Sequence, residues 1–244
     1  MTDLDKEINL QAKEIIKKIA DDYKDKLEIK ICGRINEMKN DDKSHYLIYR
    51  VLGISNAEGE LIDSYQNKGR FLYNYAGNFL EKAAIKCIEL KYKDAKSNIR
   101  IENKFGEKPK TFEIDCLVGK YAHEIKWRDS TTDGDHIIKE NNRVEIIHDK
   151  GYIPVRVMFY KPNRYQAIDV QRALESVYIR WSGQYYSGDA AWDYIKSYTG
   201  IDLLKILKEI AEDRFEEKDA CDEDLAKTLI SNNKEGYQND WFKQ

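Results

Sequence analysis

Apolar residues at Leu4, Ile8, Ala12, Ile15 and Ile19 recur at helical spacing and predict an amphipathic helix over residues 3–26. Residues 27–35 (LEIKICGRI) and 45–54 (HYLIYRVLGI) alternate and read as strands, with Asn40-Asp41-Asp42 as loop and Asn56 to Gly59 as a turn. A second helix is predicted over 70–92, with Leu72, Tyr75, Phe79 and Ala83 apolar and Gly77 inside it. Residues 97–103 read as a strand and 106–110 as a turn. Two alternating runs, TFEIDCLV and YAHEIKWR, then flank Gly119-Lys120. A two-residue connection opening on glycine marks a type II′ hairpin. Beyond it come a polar loop (128–135), a helix over 136–150 with Asp135 as N-cap, and an apolar strand over 152–160. Pro154 places that strand at an edge or gives it an early bend. A helix follows from Asn163 to about residue 180, then an aromatic loop at 181–188. A short helix to Tyr198, with Asp189 as cap, precedes another carrying Leu203, Leu204, Leu207, Ile210 and Phe215. The remaining acidic and polar residues read as a peripheral helix with a frayed end.

The hairpin carries the chemistry. Its turn sets Val118 opposite Tyr121, Asp115 opposite Glu124 and Glu113 opposite Lys126. Asp115, Glu124 and Lys126 then share one face, and Ile114, Cys116, Ile125 and Trp127 the other. Two carboxylates with Cβ atoms about 4.5–5.5 Å apart destabilise a sheet. A divalent cation between them removes the conflict. Mg²⁺ is the natural choice: it is hard, takes one or two carboxylates, and keeps waters for a phosphate substrate. Lys126 could orient or activate water, or neutralise charge building on a phosphate. The alternative is a plain half-exposed hairpin with polar residues outside.

Composition narrows the setting. The chain has 244 residues, 41% hydrophobic and 35% charged, enough for one globular domain with modest extensions. No apolar run approaches the ~20 residues of a membrane helix, and the N-terminus lacks signal-peptide character. Cys32, Cys87, Cys116 and Cys221 are widely spaced, which disfavours a zinc ribbon or disulfide framework and suggests the cytoplasm. A net charge of −3 argues against a protein that coats DNA, but not against one that grips phosphates in a cleft. Cations placed to meet phosphates are Lys68 and Arg70 in the NKGR run, and Arg128 with the hydroxyls of Thr131 and Thr132 in the polar loop. Asp133-Gly134-Asp135 fits a turn and cap better than a metal site with His136.

Asp115, Glu124 and Lys126 resemble the PD-(D/E)xK nuclease motif, with Ile114 where that motif has proline. The runs NKGRFLYNYAGNFLEKAA and HEIKWRDSTTDGDHIIKENNRVEIIHDKGYIPVRVMFYKPNRYQAI resemble the ApaLI-type restriction endonucleases, over roughly residues 66–180. The resemblance implies an α/β fold: a mixed sheet of four or five strands flanked by helices, with extensions at 1–65 and 181–244. It implies a type II restriction endonuclease that hydrolyses double-stranded DNA with Mg²⁺, or Mn²⁺ in its place. Asp115 and Glu124 would hold the metal with the backbone carbonyl of Ile125. Glu81 would be a third carboxylate, and Lys126 would assist the attacking water or the transition state. Lys139 and Arg143 would meet phosphates from the helix after the motif, with Glu140 behind them. A homodimer acting on a short palindrome, GTGCAC-like if the target carries over, is also implied, with a cognate methyltransferase as a possible partner. The rivals are a repair nuclease or junction resolvase on the same core, and a non-catalytic nucleic-acid-binding module.

Overall fold

The computed structural model describes residues 3–106, 108–129 and 131–214. The expectations for Phe215 and for the peripheral helix beyond it lie outside those residues. The chain divides into two compact units after Leu203; of the second, the described residues 204–214 are helical. No helix among the described residues is long and apolar enough to cross a membrane.

The N-terminal third differs from the expectation. Helix α1 runs without a break over Asp3–Met38, so residues 27–35 are helical rather than a strand. The alternation of Leu27, Ile29 and Ile31 reflects no strand pleat; Ile29 is exposed on the helix. Residues 45–54 hold the short helix α2 (Tyr46–Val51), not a strand. Helix α3 spans Asn56–Lys91, absorbing both the expected turn at 56–59 and the helix at 70–92. Ser55 caps it, its hydroxyl accepting from the Glu58 N–H at 3.2 Å. Gly59 is not a turn residue. It is buried beneath Tyr49, where a Cβ would lie 2.7 Å from the ring.

The sheet holds five strands in the order β1 (Lys96–Glu102), β2 (Thr111–Val118), β3 (Tyr121–Arg128), β4 (Ile153–Tyr160) and β5 (Gln184–Ser187). The first three are antiparallel neighbours; β3–β4 and β4–β5 are parallel. The parallel pairs need crossovers, supplied by α4 (Asp135–Asp149) and α5 (Tyr165–Arg180). Helices α4 and α5 cover one face; α3 and α6 (Asp189–Thr199) cover the other. This is the mixed, helix-flanked sheet that was expected. The strand β5 is new, lying inside the expected aromatic loop. Pro154 is not on an edge strand: β4 is paired on both sides, and the β5 ladder begins only at Val155. Gly183 passes so close to Pro154 that a Cβ would sit 2.6 Å from its carbonyl oxygen. The caps also shift by one residue. Gly134 precedes α4 and Gly188 precedes α6, with Asp135 and Asp189 in the first turns.

The β2–β3 hairpin has the predicted register, with Val118 paired to Tyr121 and Cys116 to His123. Gly119 holds φ +53° and Lys120 has no positive φ, as a type II′ turn requires. The face assignment holds for β3 but not for Ile114. That residue joins the cluster containing Leu117, Ala122 and α4's Ile146 and Ile147. The cause lies next door. Asn98 adopts φ +56°, and the β1–β2 pairs run on either side of Asn98 and Asp115.

On the α6 side, His123 is fully buried. Its Nδ1–H donates to the Cys116 carbonyl at 3.1 Å, and Nε2 accepts from the Tyr194 hydroxyl at 2.8 Å. Burial lowers its pKa from 6.5 to about 4. The unfolded chain therefore takes up this proton first as pH falls. Stability present above pH 6.5 should be lost between 6.5 and 4, by roughly 3 kcal/mol from this group. Urea unfolding at pH 7 and pH 4.5 should therefore show the native protein losing about 3 kcal/mol relative to His123→Gln over that interval, the other titrating groups cancelling in the difference. Gly77 makes a second prediction. A methyl there would meet only Trp127, at 3.8 Å. Gly77→Ala should raise stability by about 1 kcal/mol, whereas Gly183→Ala should lower it by about 1–3 kcal/mol.

Candidate active site

The motif residues meet where β2 and β3 separate. Beyond Cys116–His123, Asp115 does not simply continue the ladder: its Oδ2 accepts the Ile125 N–H at 2.7 Å. The side chain thus takes over a sheet hydrogen bond and is fixed against the backbone of β3. Glu124 and Lys126 project from β3 into the same space, with Lys126 Nζ 2.8 Å from Glu124 Oε1. Helix α3 brings Glu81 to within 3.7 Å of the same Nζ.

Glu124 is 7% exposed and is held from the other side by Arg143 of α4, at 2.5 Å. Arg143 also reaches Glu140 at 2.5 Å. Glu140 Oε1 in turn accepts from Arg156 of β4 at 3.1 Å and from the Tyr178 hydroxyl at 2.7 Å. Arg156, with no exposed surface, extends its other nitrogen to Asp129 at 2.6 Å. His136 Nε2 lies 3.1 Å from the same Asp129 oxygen. A continuous run of ion pairs therefore links the motif to the loop after β3.

The charges do not balance. Asp115, Glu124, Glu81 and Glu140 face only Lys126 and Arg143, because Arg156 and Asp129 offset each other. The deficit of two positive charges is what one divalent cation supplies. It is felt most at Asp115, where burial and then the Glu124 charge raise the carboxyl to about 8. At Glu124 burial acts the same way, but Arg143 and Lys126 outweigh it and the pKa falls. Burial raises Glu81 as well, against the pull of Lys126. For Lys126, burial is outweighed by Glu124, Asp115 and Glu81, which hold it firmly protonated. No group of three or more His, Cys, Asp or Glu residues among those described is arranged to hold a metal alone. The fit to a hard cation rests on Asp115 and Glu124, oxygen donors in a pocket short of positive charge.

The remaining expected residues fall into two sets. Arg143 is 11% exposed and engaged by two carboxylates, so it does not lie on a solvated helix face. Lys139 is exposed. Lys68 and Arg70 are exposed too, but within α3 rather than in a loop ahead of it. Arg128 donates to the Asn163 side chain at 3.2 Å, and its buried Nε has no hydrogen-bond partner among the described residues. Thr131 accepts from the Asp133 N–H, while Thr132 is exposed. The His136 ring, in the first turn of α4, turns to Asp129, and Asp133 accepts from the Asp135 N–H at 3.0 Å, with Gly134 rather than Asp135 as the cap. Arg156, Asp129 and Tyr178 were missed. A lone arginine inside the apolar run YIPVRVMFY was the available signal, since a charge buried in a strand must be paired.

Removing one member of a buried ion-pair network leaves its partners uncompensated, at a cost of about 3–5 kcal/mol. Arg156→Met should therefore destabilise the fold by that amount in urea unfolding. Adding Glu140→Gln should recover part of the loss.

Comparison with curated proteins and with solved structures returned no match. The family model of the ApaLI-like restriction endonucleases matches residues 4–212. That span includes every residue of the site and nearly the whole described fold. The chain belongs to the ApaLI-like restriction endonuclease family.

Proposed function

We propose that this protein is a Mg²⁺-dependent type II restriction endonuclease of the PD-(D/E)xK type, cutting double-stranded DNA at a short palindrome as a homodimer. The observation that carries the reading is the meeting of Asp115, Glu124 and Lys126 within an ion-pair network that is two positive charges short. Asp115 and Glu124 would hold the cation, with the Ile125 carbonyl beside them and Glu81 as a further carboxylate. Mg²⁺, or Mn²⁺ in its place, would supply Lewis-acid polarisation of the phosphodiester and a more acidic attacking water.

The chain's own residues set the rest. Hydrolysis proceeds by in-line attack of water on phosphorus, with the bond to the leaving oxygen broken as the new one forms. Negative charge builds on the phosphoryl oxygens and the leaving oxygen. Lys126, held protonated by three carboxylates, is suited to donate to those oxygens rather than to remove a proton from water. Arg143 balances Glu124 and keeps its carboxylate turned towards Lys126. The Asp115–Ile125 hydrogen bond fixes the first carboxylate. Lys68, Arg70, Lys139 and Arg128 are candidates for backbone phosphates, with Thr131 and Thr132 near them. A GTGCAC-like target and a cognate methyltransferase follow only from the family.

Digestion of a long, mixed-sequence duplex tests this reading. With Mg²⁺ the protein should give discrete fragments, and EDTA or Asp115→Ala should abolish them. Lys126→Ala should cut the rate by about 10²–10³-fold, as loss of a transition-state donor does. Cleavage only of branched or damaged DNA would move the protein to the repair nucleases or resolvases. A folded protein that cuts nothing with Mg²⁺ or Mn²⁺ would overturn the proposal.

A further inference from the structure

We propose that the open stretch of α3 between Asp63 and Gly77 reads the DNA sequence, with Gln66, Arg70 and Asn74 meeting base edges in the major groove. The inference rests on the DNA-cleaving reading above and names the residues that select the site.

One stripe of α3 joins these residues to the candidate active site. At 3.6 residues per turn, Gln66, Arg70, Asn74, Gly77 and Glu81 fall within an arc of about 80°. At its C-terminal end the stripe faces the motif strand: a methyl at Gly77 would meet Trp127, and Glu81 reaches Lys126. At its N-terminal end α2 covers it, with Tyr49 lying over Gly59 and donating its hydroxyl to Asp63 at 3.0 Å. Helix α1 packs on another side, through Tyr23 against Tyr75 and Phe79. Between these supports the side chains of Gln66, Arg70 and Asn74 are exposed.

The dimensions suit a duplex. From Asp63 to Gly77 the helix rises about 21 Å, roughly six base-pair steps of 3.4 Å. The major groove, about 12 Å wide, admits a helix. Along the axis, Asn74 stands about 10 Å and Gln66 about 22 Å from Glu81. Bases read from this stretch therefore lie within a few pairs of a phosphate placed at Lys126, as cutting inside a short site requires.

The residue types favour base edges over phosphates. Two of the three side chains are uncharged amides, which add nothing to the release of counterions. Asn and Gln pair bidentately with adenine, and Arg with guanine. Arg70 is already oriented for this. Its Nη2 donates to Asn67 Oδ1 at 3.2 Å, and the guanidinium lies over the Phe71 ring, 5.1 Å from the centroid. Asn78 steadies Asn74, donating to its Oδ1 at 3.4 Å. Charge alone groups Arg70 with Lys68 as a phosphate contact. The helix sets the two about 160° apart and puts Arg70 in line with the amides.

The test is selection of bound sequences from random duplexes, using the full chain with Mg²⁺ and with Lys126→Ala to slow cutting. This protein should enrich one short motif. Adding Arg70→Ala should erase the preference at one G·C pair, and adding Gln66→Ala or Asn74→Ala the preference at one A·T pair. Each loss should amount to about 5–150-fold. The slope of log affinity against log salt concentration should not change, nor should the circular dichroism spectrum, since all three side chains are exposed. An Arg70→Ala effect that weakens every sequence alike and lowers the salt slope by about one marks a phosphate contact and would overturn the proposal. So would a starting protein that enriches no motif, or variants that keep the full motif. Selection reads binding alone. An enriched motif with no digestion by the native chain therefore sinks the nuclease reading and leaves this one standing.

Discussion

The structure depends on how this chain manages charge it has buried. Glu124, Glu140, Arg143 and Arg156 are all shielded from water. Each would cost several kcal/mol if left alone. They are tolerable because they are arranged in sequence, with each guanidinium set between two carboxylates. Only the Asp115 end of the run lacks its share of positive charge. The network is thus balanced at its Arg156 end and short of positive charge at its Asp115 end, where the proposed cation would sit. A network built only for stability would have little reason to leave that imbalance next to a protonated lysine.

The topology makes the arrangement possible. The β3–α4–β4 crossover sets α4 over the two central strands, so that Arg143 and Glu140 meet Glu124 from β3 and Arg156 from β4. The regular β1–β2 pairing is interrupted at Asn98 and Asp115, the β2–β3 pairs end at Cys116–His123, and the Asp115 carboxylate takes the Ile125 N–H. Helix α3 serves both faces of the problem. Its C-terminal half both supplies Glu81 to Lys126 and closes the opposite side of the sheet.

Much of this was legible in the sequence, for local reasons. The Gly119-Lys120 turn fixes its own register, and that register dictates which carboxylates can meet. The helices and strands after residue 96 showed their period clearly, apart from β5, whose four residues are too short and too aromatic to separate from a loop. The N-terminal third misled because α1 and α3 are only partly buried, so the spacing of Leu27, Ile29 and Ile31 reports no core. The Ser55-x-x-Glu58 pattern is a helix-start signal that the turn reading of Asn56 to Gly59 passed over, because Gly59 pointed to a turn. Its real role, admitting Tyr49 against the helix, depends on a contact across the chain. The Arg156 network was hidden for the same reason. Its members are far apart in sequence, and only the packing of α4 and α5 on β4 brings them together.

The proposed activity rests on Asp115 and Glu124 forming a divalent-cation site. Calorimetric titration of the full chain with Mn²⁺ and Mg²⁺ tests it without reference to DNA. One cation should bind per chain, and binding should be lost in Asp115→Asn while the folded protein keeps its unfolding midpoint within a few degrees. A native protein that binds no divalent cation at millimolar concentration, or an Asp115→Asn variant that binds as well as the native chain, would contradict it.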